Sequence, residues 1–302
     1  MTVHGELEVV PAATKSEAAQ ALREFTAAYN AADKAYDPAL DADLVTGSLG
    51  AINQAGLKAR HTIEPTGNAR HQPLELTDAR FVIPKKAGWP RWFLADTDSN
   101  RDAGDQDTRW LLAFVKSGPD AGWKAAYLSV VAPDRIPVLA KDGDGRAEPV
   151  AADGTDLAVA PKDLGTRYTQ YLQKGTPDVF APGAATSQWR DARLNTKRAG
   201  FSYQYVDQPL DSGMYAPLGL ATEDGGALVF FSSKHFERQT AAKGLRPTVE
   251  PDVEALLTGE VKSTLTKERV SSQLVYVPGK GAEARKVTVL NRLPGLTAAK
   301  GS

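Results

Sequence analysis

Alternating oxygen-bearing side chains in the first half of the sequence suggest a metal site. Four of them have the spacing of the first ligands in a calcium loop: Asp96, Asp98, Asn100 and Asp102. Arg101 stands where such a loop needs glycine, and Asp107 stands where it usually carries glutamate. The run therefore predicts either a Ca²⁺ site, the one cofactor the sequence suggests, or a solvated hairpin tip, which both departures favour.

Histidine offers a second candidate chemistry. No two histidines have the i, i+4 spacing of a zinc-binding helix, although His61 and His71 flank one loop where an acid could meet them. His235 follows Ser233 by two residues, so both side chains face one side of a strand. With an acid, such a pair has the groups for acyl transfer. Because no Gly-x-Ser-x-Gly turn is present, we predict no catalytic residue and expect packing or surface roles.

Two tryptophans are candidate binding residues. Trp89 and Trp92 bracket Pro90-Arg91, and a partly exposed pair could stack against a sugar or a peptide. The alternative is packing in the core or at a sheet edge. The sequence contains neither a phosphate-binding glycine loop nor a dinucleotide fingerprint.

Composition excludes several function classes. The chain of 302 residues has 36 basic and 37 acidic residues, so no global field favours nucleic acid. It has no cysteine, which excludes disulfides, thiolate catalysis and cysteine-ligated metals. No apolar run is long enough to span a bilayer. The first residues lack the apolar segment of an export signal, so we expect any such signal to have been removed before Met1.

The candidate residues must be positioned by helices and strands that the sequence pattern predicts. Apolar residues at helical spacing predict a helix over 16–35, with a capping box formed by Thr14 and Glu17. A short helix over 48–54 and a strand over 57–63 follow. Four further strands are predicted at 74–83, 92–97, 108–116 and 123–131. Helices followed by a meander indicate an α+β fold with an antiparallel sheet.

The second half repeats this order. The polar, glycine-rich residues 141–156 suggest a linker between domains at 14–140 and 157–296, with a tether over 1–13. The alternative for 141–156 is a long loop within one domain. Helices are predicted from Leu164 to Leu172 and over 187–194, and the tail 297–302 is expected to fray. Six strands are predicted at 201–206, 214–222, 227–237, 257–267, 271–277 and 286–290.

In this order of elements, each half resembles an NTF2-like or cystatin-like cone. That resemblance implies two tandem modules, in each of which helices pack into the concave face of a bent antiparallel sheet and leave a pocket at the open end. It covers nearly the whole chain but rests on architecture rather than on a residue motif.

Several short segments resemble Streptomyces-type actinobacterial extracytoplasmic lipoproteins of unknown function. The segments are TVHGE at 2–6, VVPAAT at 9–14, AYDPAL at 35–40, GAINQAG at 50–56 and WFLADTDSNR at 92–101. The resemblance implies an exported protein held at the outer face of the membrane by a lipidated cysteine, which would precede Thr2. Met1 occupies that place here.

Three function classes remain open. The absence of a catalytic motif favours a non-enzymatic binding protein of the cell envelope, with an envelope protein, a peptide or a glycan as ligand. One alternative is an enzyme with an acid or base beside Tyr29 or Tyr127 in an NTF2-like pocket. The other is a structural spacer that recruits a membrane complex.

Overall fold

A computed structural model describes residues 8–283 and 285–302 of the protein. The helices are α1 (Lys15–Ala35), α2 (Gly47–Ile63), α3 (Leu164–Lys174), α4 (Ser187–Asn195) and α5 (Pro251–Ala255). The first-half strands are β1 (Val10–Pro11), β2 (Leu76–Val82), β3 (Lys85–Lys86), β4 (Arg91–Ser99), β5 (Arg109–Lys116) and β6 (Lys124–Val131). The second-half strands are β7 (Phe201–Leu210), β8 (Leu218–Ala221), β9 (Ala227–Ala241), β10 (Leu257–Thr258), β11 (Thr264–Val277) and β12 (Thr288–Gly301). This α+β composition confirms the predicted fold class.

Helix α1 begins at the predicted capping box. The hydroxyl of Thr14 accepts a hydrogen bond from the backbone N–H of Glu17 (3.1 Å), whose carboxylate accepts one from the N–H of Thr14 (2.7 Å). Phe25 lies on the buried face of the helix and meets Phe114 of β5 edge-on, with ring centroids 5.8 Å apart. The predicted apolar stripe is therefore the surface that attaches α1 to the first sheet.

Helix α2 corrects two predictions. We expected a helix over 48–54 and a strand over 57–63, but one helix of 17 residues covers both. Leu57 and Ala59, which lie in the predicted strand, are both buried within this helix. Leu49 and Leu57, eight residues apart, are both buried. Tertiary packing against β6, β12 and α5 therefore selects the helix.

The first sheet confirms the predicted meander. Strands β2, β4, β5 and β6 pair antiparallel in that order. Its outer face lies under α1, where Phe93 and Phe114 stack with centroids 5.0 Å apart. Residues 1–7 of the predicted tether over 1–13 lie outside the described residues. The rest of the tether contains β1, which pairs with β3. The TVHGE segment and His4 also lie outside the described residues.

The second sheet has the order β10-β12-β11-β9-β7, with β8 pairing with β9 beyond the end of β7. Helices α3 and α4 confirm the two predicted second-half helices. The outer face of the sheet packs against α3, where Tyr168 meets Phe231 edge-on with centroids 5.6 Å apart. Strand β7 is an edge strand of this sheet.

Several predicted strand boundaries in the second half were wrong. The predicted strand over 257–267 stops early because Gly259 adopts a φ of 73°, and β11 then runs without a break through 268–270. Lys267 and Arg269, at this predicted break, face Glu237 of β9 across the sheet, at 3.9 and 3.6 Å. The predicted strand over 214–222 begins only at Leu218, after a short turn and Pro217.

The C-terminal tail is also corrected. Residues 297–301 were expected to fray, but they belong to β12 and lie between β10 and β11. The backbone N–H of Ser302 still donates to the carbonyl of Thr264 at 3.0 Å. Pairing with β10 on one side and β11 on the other, together with burial of Ala299, holds this segment in the sheet.

The two sheets pack against each other through the faces not covered by α1 and α3. Trp92, Leu111 and Tyr127 of the first sheet meet Phe230 and Leu274 of the second in one buried cluster. The rings of Tyr127 and Phe230 have centroids 5.5 Å apart. The layers therefore run helix, sheet, sheet, helix.

Two further connections join the halves. Helix α2 lies against β12, and its Ile52 is so close to Gly295 that a Cβ added there would lie 2.4 Å from Ile52 Cγ2. The predicted linker 141–156 runs beside β8, where the N–H of Val150 donates to the carbonyl of Gly219 at 2.9 Å.

Candidate functional site

Two of the four predicted calcium ligands are committed to other partners. The carboxylate of Asp96 accepts a hydrogen bond from Arg109 Nε at 2.6 Å. The amide oxygen of Asn100 accepts from the N–H of Glu75 at 3.0 Å, and its nitrogen donates to the carbonyl of Pro73 at 2.9 Å. The Asn100 contacts fix the hairpin to the preceding loop, and the Asp96 contact joins the two strands of the hairpin.

The other two predicted ligands come together with a third acid. Carboxylate oxygens of Asp98, Asp102 and Asp107 lie within 4.8 Å of one another. Asp102 also accepts hydrogen bonds from the backbone and hydroxyl of Thr108, as expected for a hairpin tip that closes on itself. Exposed acids near one another are common without a metal ion, so calcium at this tip stays a prediction.

The two candidate tryptophans do not form one binding surface. Trp92 is 7% exposed and lies in the core between the sheets. Trp89, just before β4, is partly exposed and is covered by the Arg91 guanidinium at 4.4 Å and the Lys116 ammonium at 5.7 Å.

His71 and Tyr127 also have defined partners. His71 meets the acid that its loop position suggested, with Nδ1 2.8 Å from Asp33 Oδ2. The hydroxyl of Tyr127 lies 2.9 Å from the backbone carbonyls of both Tyr215 and Ala216, which share its one proton. Backbone carbonyls therefore accept this proton, rather than a side-chain acid.

A buried polar cluster lies on the helix-facing side of the second sheet. His235 Nδ1 donates to Asp207 Oδ1 at 2.6 Å, because an ionised carboxylate can only accept. Nε2 lies 2.8 Å from the hydroxyls of both Ser233 and Ser271 and accepts from one of them. Gln273 completes the cluster, with its amide oxygen 2.6 and 2.8 Å from the two hydroxyls.

Strand register brings this cluster together. Asp207 of β7 pairs opposite His235 of β9, and Ser233 pairs opposite Ser271 of β11. Side chains alternate between the two faces, so these residues follow the apolar Phe231 on the same face of the sheet. The prediction that Ser233 and His235 share one face of the strand is confirmed, and the acid beside them comes from the neighbouring strand.

Helix α4 covers the cluster with an arginine. The guanidinium of Arg193 donates two hydrogen bonds to Asp207, at 2.8 and 2.9 Å, and its side chain is 8% exposed. Arg193 lies 3.8 Å from the ring centre of Trp189 and 4.9 Å from that of Tyr205. Trp189, in turn, meets His235 edge-on with centroids 4.9 Å apart.

Burial and pairing set the charges of the cluster. Burial raises the pKa of Asp207, but hydrogen bonds from His235 and Arg193 outweigh it and hold that pKa below its ordinary value. Burial lowers the pKa of His235 to about 4, against the opposing effect of Asp207. At neutral pH the cluster therefore contains one carboxylate, one guanidinium and a neutral imidazole.

A second arginine lies on the opposite face of Trp189. Arg292 of β12 is 3.6 Å from the ring centre, and its buried Nε has no hydrogen-bond acceptor among the described residues. Within residues 8–283 and 285–302, no carboxylate lies within 4.0 Å of its guanidinium. Burial lowers the pKa of Arg292, and the positive charges of Arg193 and Arg269 lower it further, while Tyr168 and Asp207 act in the opposite direction.

These residues line a cleft of about 220 Å³, which we call the arginine cleft. Its side chains are mainly basic and aromatic: Trp189, Arg193, Tyr205, His235, Arg269 and Arg292. Glu237 is its one acid, and it faces Lys267 and Arg269. The cleft therefore carries a local positive charge that the net charge of −1 conceals.

Sequence reasoning missed most of this site. Trp189, Arg193 and Arg292 come from segments that the sequence separates by about a hundred residues. The one available signal was Trp189 and Arg193 at i, i+4 spacing, which places them on one helix face.

Similarity to known proteins identifies the family of this chain. The family model described as "Domain of unknown function (DUF8094)" matches residues 9–301. The chain belongs to this family. Within residues 8–283 and 285–302 of this DUF8094 protein, no helix has the length and apolarity needed to cross a membrane.

The relatives of this DUF8094 chain carry a common description. The chain is 54% identical over 303 residues to an uncharacterized lipoprotein of Streptomyces coelicolor, across 100% of this chain and 90% of the relative. It is 52% identical, with the same coverage, to an uncharacterized lipoprotein of Streptomyces avermitilis. A second S. coelicolor uncharacterized lipoprotein is 27% identical over 223 residues, 70% of this chain and 61% of the relative.

Proposed function

We propose that this protein is a non-enzymatic binding protein of the cell envelope, held at the membrane by a lipid anchor, and that the arginine cleft binds an anionic group. The description of its relatives as lipoproteins supports the location. The cleft supports the function, because it gathers cations at a concave surface.

Arg292 is the observation that carries this proposal. A partly buried guanidinium near the positive charges of Arg193 and Arg269, with no carboxylate within 4.0 Å among the described residues, is unfavourable in the free protein. A phosphate or carboxylate group in the cleft would supply the missing charge and accept the free hydrogen bonds. Guanidinium groups bind both anions in a bidentate manner, which gives such a ligand a defined orientation.

The aromatic residues favour an anion over a neutral sugar. Arg193 and Arg292 lie over the ring of Trp189, so its faces are not free for stacking. Tyr205 also carries Arg193 over its ring. These rings therefore orient the guanidinium groups, of which that of Arg292, without a carboxylate within 4.0 Å among the described residues, is the one available to a ligand. An envelope peptide, protein or glycan would be recognised through its phosphate or carboxylate.

Calorimetric titration with inorganic phosphate at low ionic strength tests the cleft. We expect Arg292→Ala to weaken phosphate binding by about tenfold or more, because a charged hydrogen bond is lost. Arg70→Ala, on an exposed loop of the first half, is the matched control and should bind like the wild type. Equal binding by wild type and Arg292→Ala, or no binding of phosphate, sulfate or acetate, would contradict the proposal.

The buried cluster favours a second candidate function, acyl transfer. Asp207, His235 and either serine have the hydrogen-bond distances of a Ser–His–Asp triad. Both serines are 0% exposed, however, so a substrate would need α4 to move. Labelling by a fluorophosphonate that is lost in either Ser233→Ala or Ser271→Ala, but retained in Ser187→Ala, would favour this function over binding alone.

We also propose that the two halves are tandem NTF2-like modules at 14–140 and 157–296. The shared order of helices followed by an antiparallel sheet supports this, as does the packing of α1 and α3 on one face of each sheet. An experimental structure in which the two halves fail to superpose would contradict it. The spacer alternative is less favoured, because the arginine cleft is open and charged.

A further inference from the structure

A larger groove adjoins the arginine cleft. This groove, about 920 Å³ in volume, runs between the C-terminal end of α4 and the edge strand β7. Arg193 and Tyr205 line both spaces, so the groove and the cleft are neighbours that share these two side chains, and a ligand with its charged end in the cleft would reach the groove by passing over them. We call this space the edge groove.

Cations line the edge groove with little acid to oppose them. Arg190, Lys197 and Arg198 contribute positive charge, and Arg190 Nε is buried without an acceptor among the described residues. Asp207 is its one acidic lining residue, and its carboxylate is already bound by Arg193 and His235. Positive side chains therefore outnumber acids along this path, and the two acids, Asp207 and Glu237, each face a basic side chain.

The same groove exposes apolar side chains. Leu194 of α4 is 61% exposed and Val206 of β7 is 46% exposed, and both line the groove. Leu245, 44% exposed, lies beside Gly200 at the same end. Single exposed apolar residues are ordinary, but several around one concave, cation-lined surface indicate a binding site with an apolar ligand portion.

We propose that the ligand is an amphiphile, with a phosphate or carboxylate head in the arginine cleft and an apolar chain in the edge groove. This inference rests on the proposed function, since the cleft must take the head group. A polyanion would use the cations but leave Leu194 and Val206 exposed to water. An amphiphile uses both, and its chain covers the apolar side chains as its head pairs with Arg292.

A chain-length series tests the proposal. Inorganic phosphate, butyl phosphate, hexyl phosphate and octyl phosphate, each below its micelle concentration, are titrated into the full chain by calorimetry. Full burial of a methylene would raise affinity by about fourfold. Because the groove is open to solvent on one side, we expect about half of that free energy, which is a rise of about twofold per methylene.

Paired variants assign that rise to the groove. Leu194→Ser combined with Val206→Ser should remove the dependence on chain length and leave phosphate binding unchanged. Both side chains are exposed, so the variant should fold. Leu40→Ser combined with Val138→Ser, at exposed apolar positions away from the groove, is the matched control and should retain the dependence.

The outcomes separate the two proposals. Phosphate binding that needs Arg292 but shows no chain-length dependence overturns the amphiphile and leaves the proposed function standing. Octyl trimethylammonium binding as tightly as octyl phosphate overturns the anionic head, and with it the proposed function. Binding to anionic phospholipid vesicles without binding to monomeric octyl phosphate identifies a membrane-docking face instead and overturns the groove.

Discussion

At the scale of single residues, the protein places an ion-paired cluster next to an arginine that lacks a carboxylate partner among the described residues. Asp207 receives hydrogen bonds from Arg193 and His235, whereas Arg292 has no carboxylate within 4.0 Å among the described residues. The paired cluster fixes Arg193 and, through it, the ring of Trp189. Trp189 in turn fixes Arg292 at the cleft. The buried groups therefore position the residues that face a ligand.

Asp207→Asn tests the strength of the paired cluster. The substitution leaves the Arg193 guanidinium buried without its counter-charge, and we expect the free energy of unfolding to fall by about 3–5 kcal/mol. Asp178→Asn, which breaks the exposed pair with Lys286, is the control and should cost at most about 1 kcal/mol. Urea unfolding measures both. Equal small losses would mean that the cluster contributes nothing beyond a surface pair.

His235 makes folding stability depend on pH. Its pKa is about 4 in the folded protein, below the ordinary 6.5, so the unfolded chain binds more protons between these values. Stability should therefore fall as pH decreases through this window, by at most about 3 kcal/mol. The lowered pKa of Asp207 adds a loss only at more acidic pH. Urea unfolding across the window should give His235→Gln a flatter profile than the wild type, and identical slopes would contradict this.

At the scale of elements, the sequence predicted what local pattern controls and missed what distant packing controls. The capping box and apolar stripe of α1 were sufficient to locate that helix, and the meander β2 to β6 followed from strand patterns between turn residues. The predictions for the second part of α2 and the end of β12 were wrong, because the partners that decide them are distant in sequence. Helix α2 packs on β12 and α5 of the second half, and the end of β12 pairs with β10 and β11. The arginine cleft shares this property, since α4 and β12 meet only in the folded protein.

Hydrogen exchange tests the corrected C-terminus. Although residues 297–301 are small and polar in composition, we expect their amides that pair in β12 to be protected nearly as well as those of β11. The exposed turn at 103–107 is the internal reference and should exchange rapidly. Rapid exchange at both places would restore the expectation of a frayed tail.

At the scale of the whole molecule, the two sheets share one core and the halves are mutually dependent. Trp92, Tyr127 and Phe230 would be exposed if either half stood alone. Helix α2 of the first half also packs on β12 of the second, at the contact between Ile52 and Gly295. We infer that the chain unfolds in one cooperative transition.

Gly295→Ala tests the contact between the halves. The added methyl group would lie 2.4 Å from Ile52 Cγ2, and we expect a loss of about 1–3 kcal/mol in the free energy of unfolding. Ile52→Ala in the same chain should recover part of that loss, which a double-mutant cycle in urea would measure. Gly118→Ala, in open space, is the control and should have little effect. Additive losses would show that α2 and β12 are not in contact.

The position of Trp189 between two guanidinium groups gives the cleft a built-in optical reporter. It is the one tryptophan of the five that lies in the second half. Movement of Arg292 toward a bound anion changes the electric field across the indole, and therefore its emission. Subtracting the spectrum of Trp189→Phe from that of the wild type isolates this signal, so occupancy of the cleft can be followed without a label.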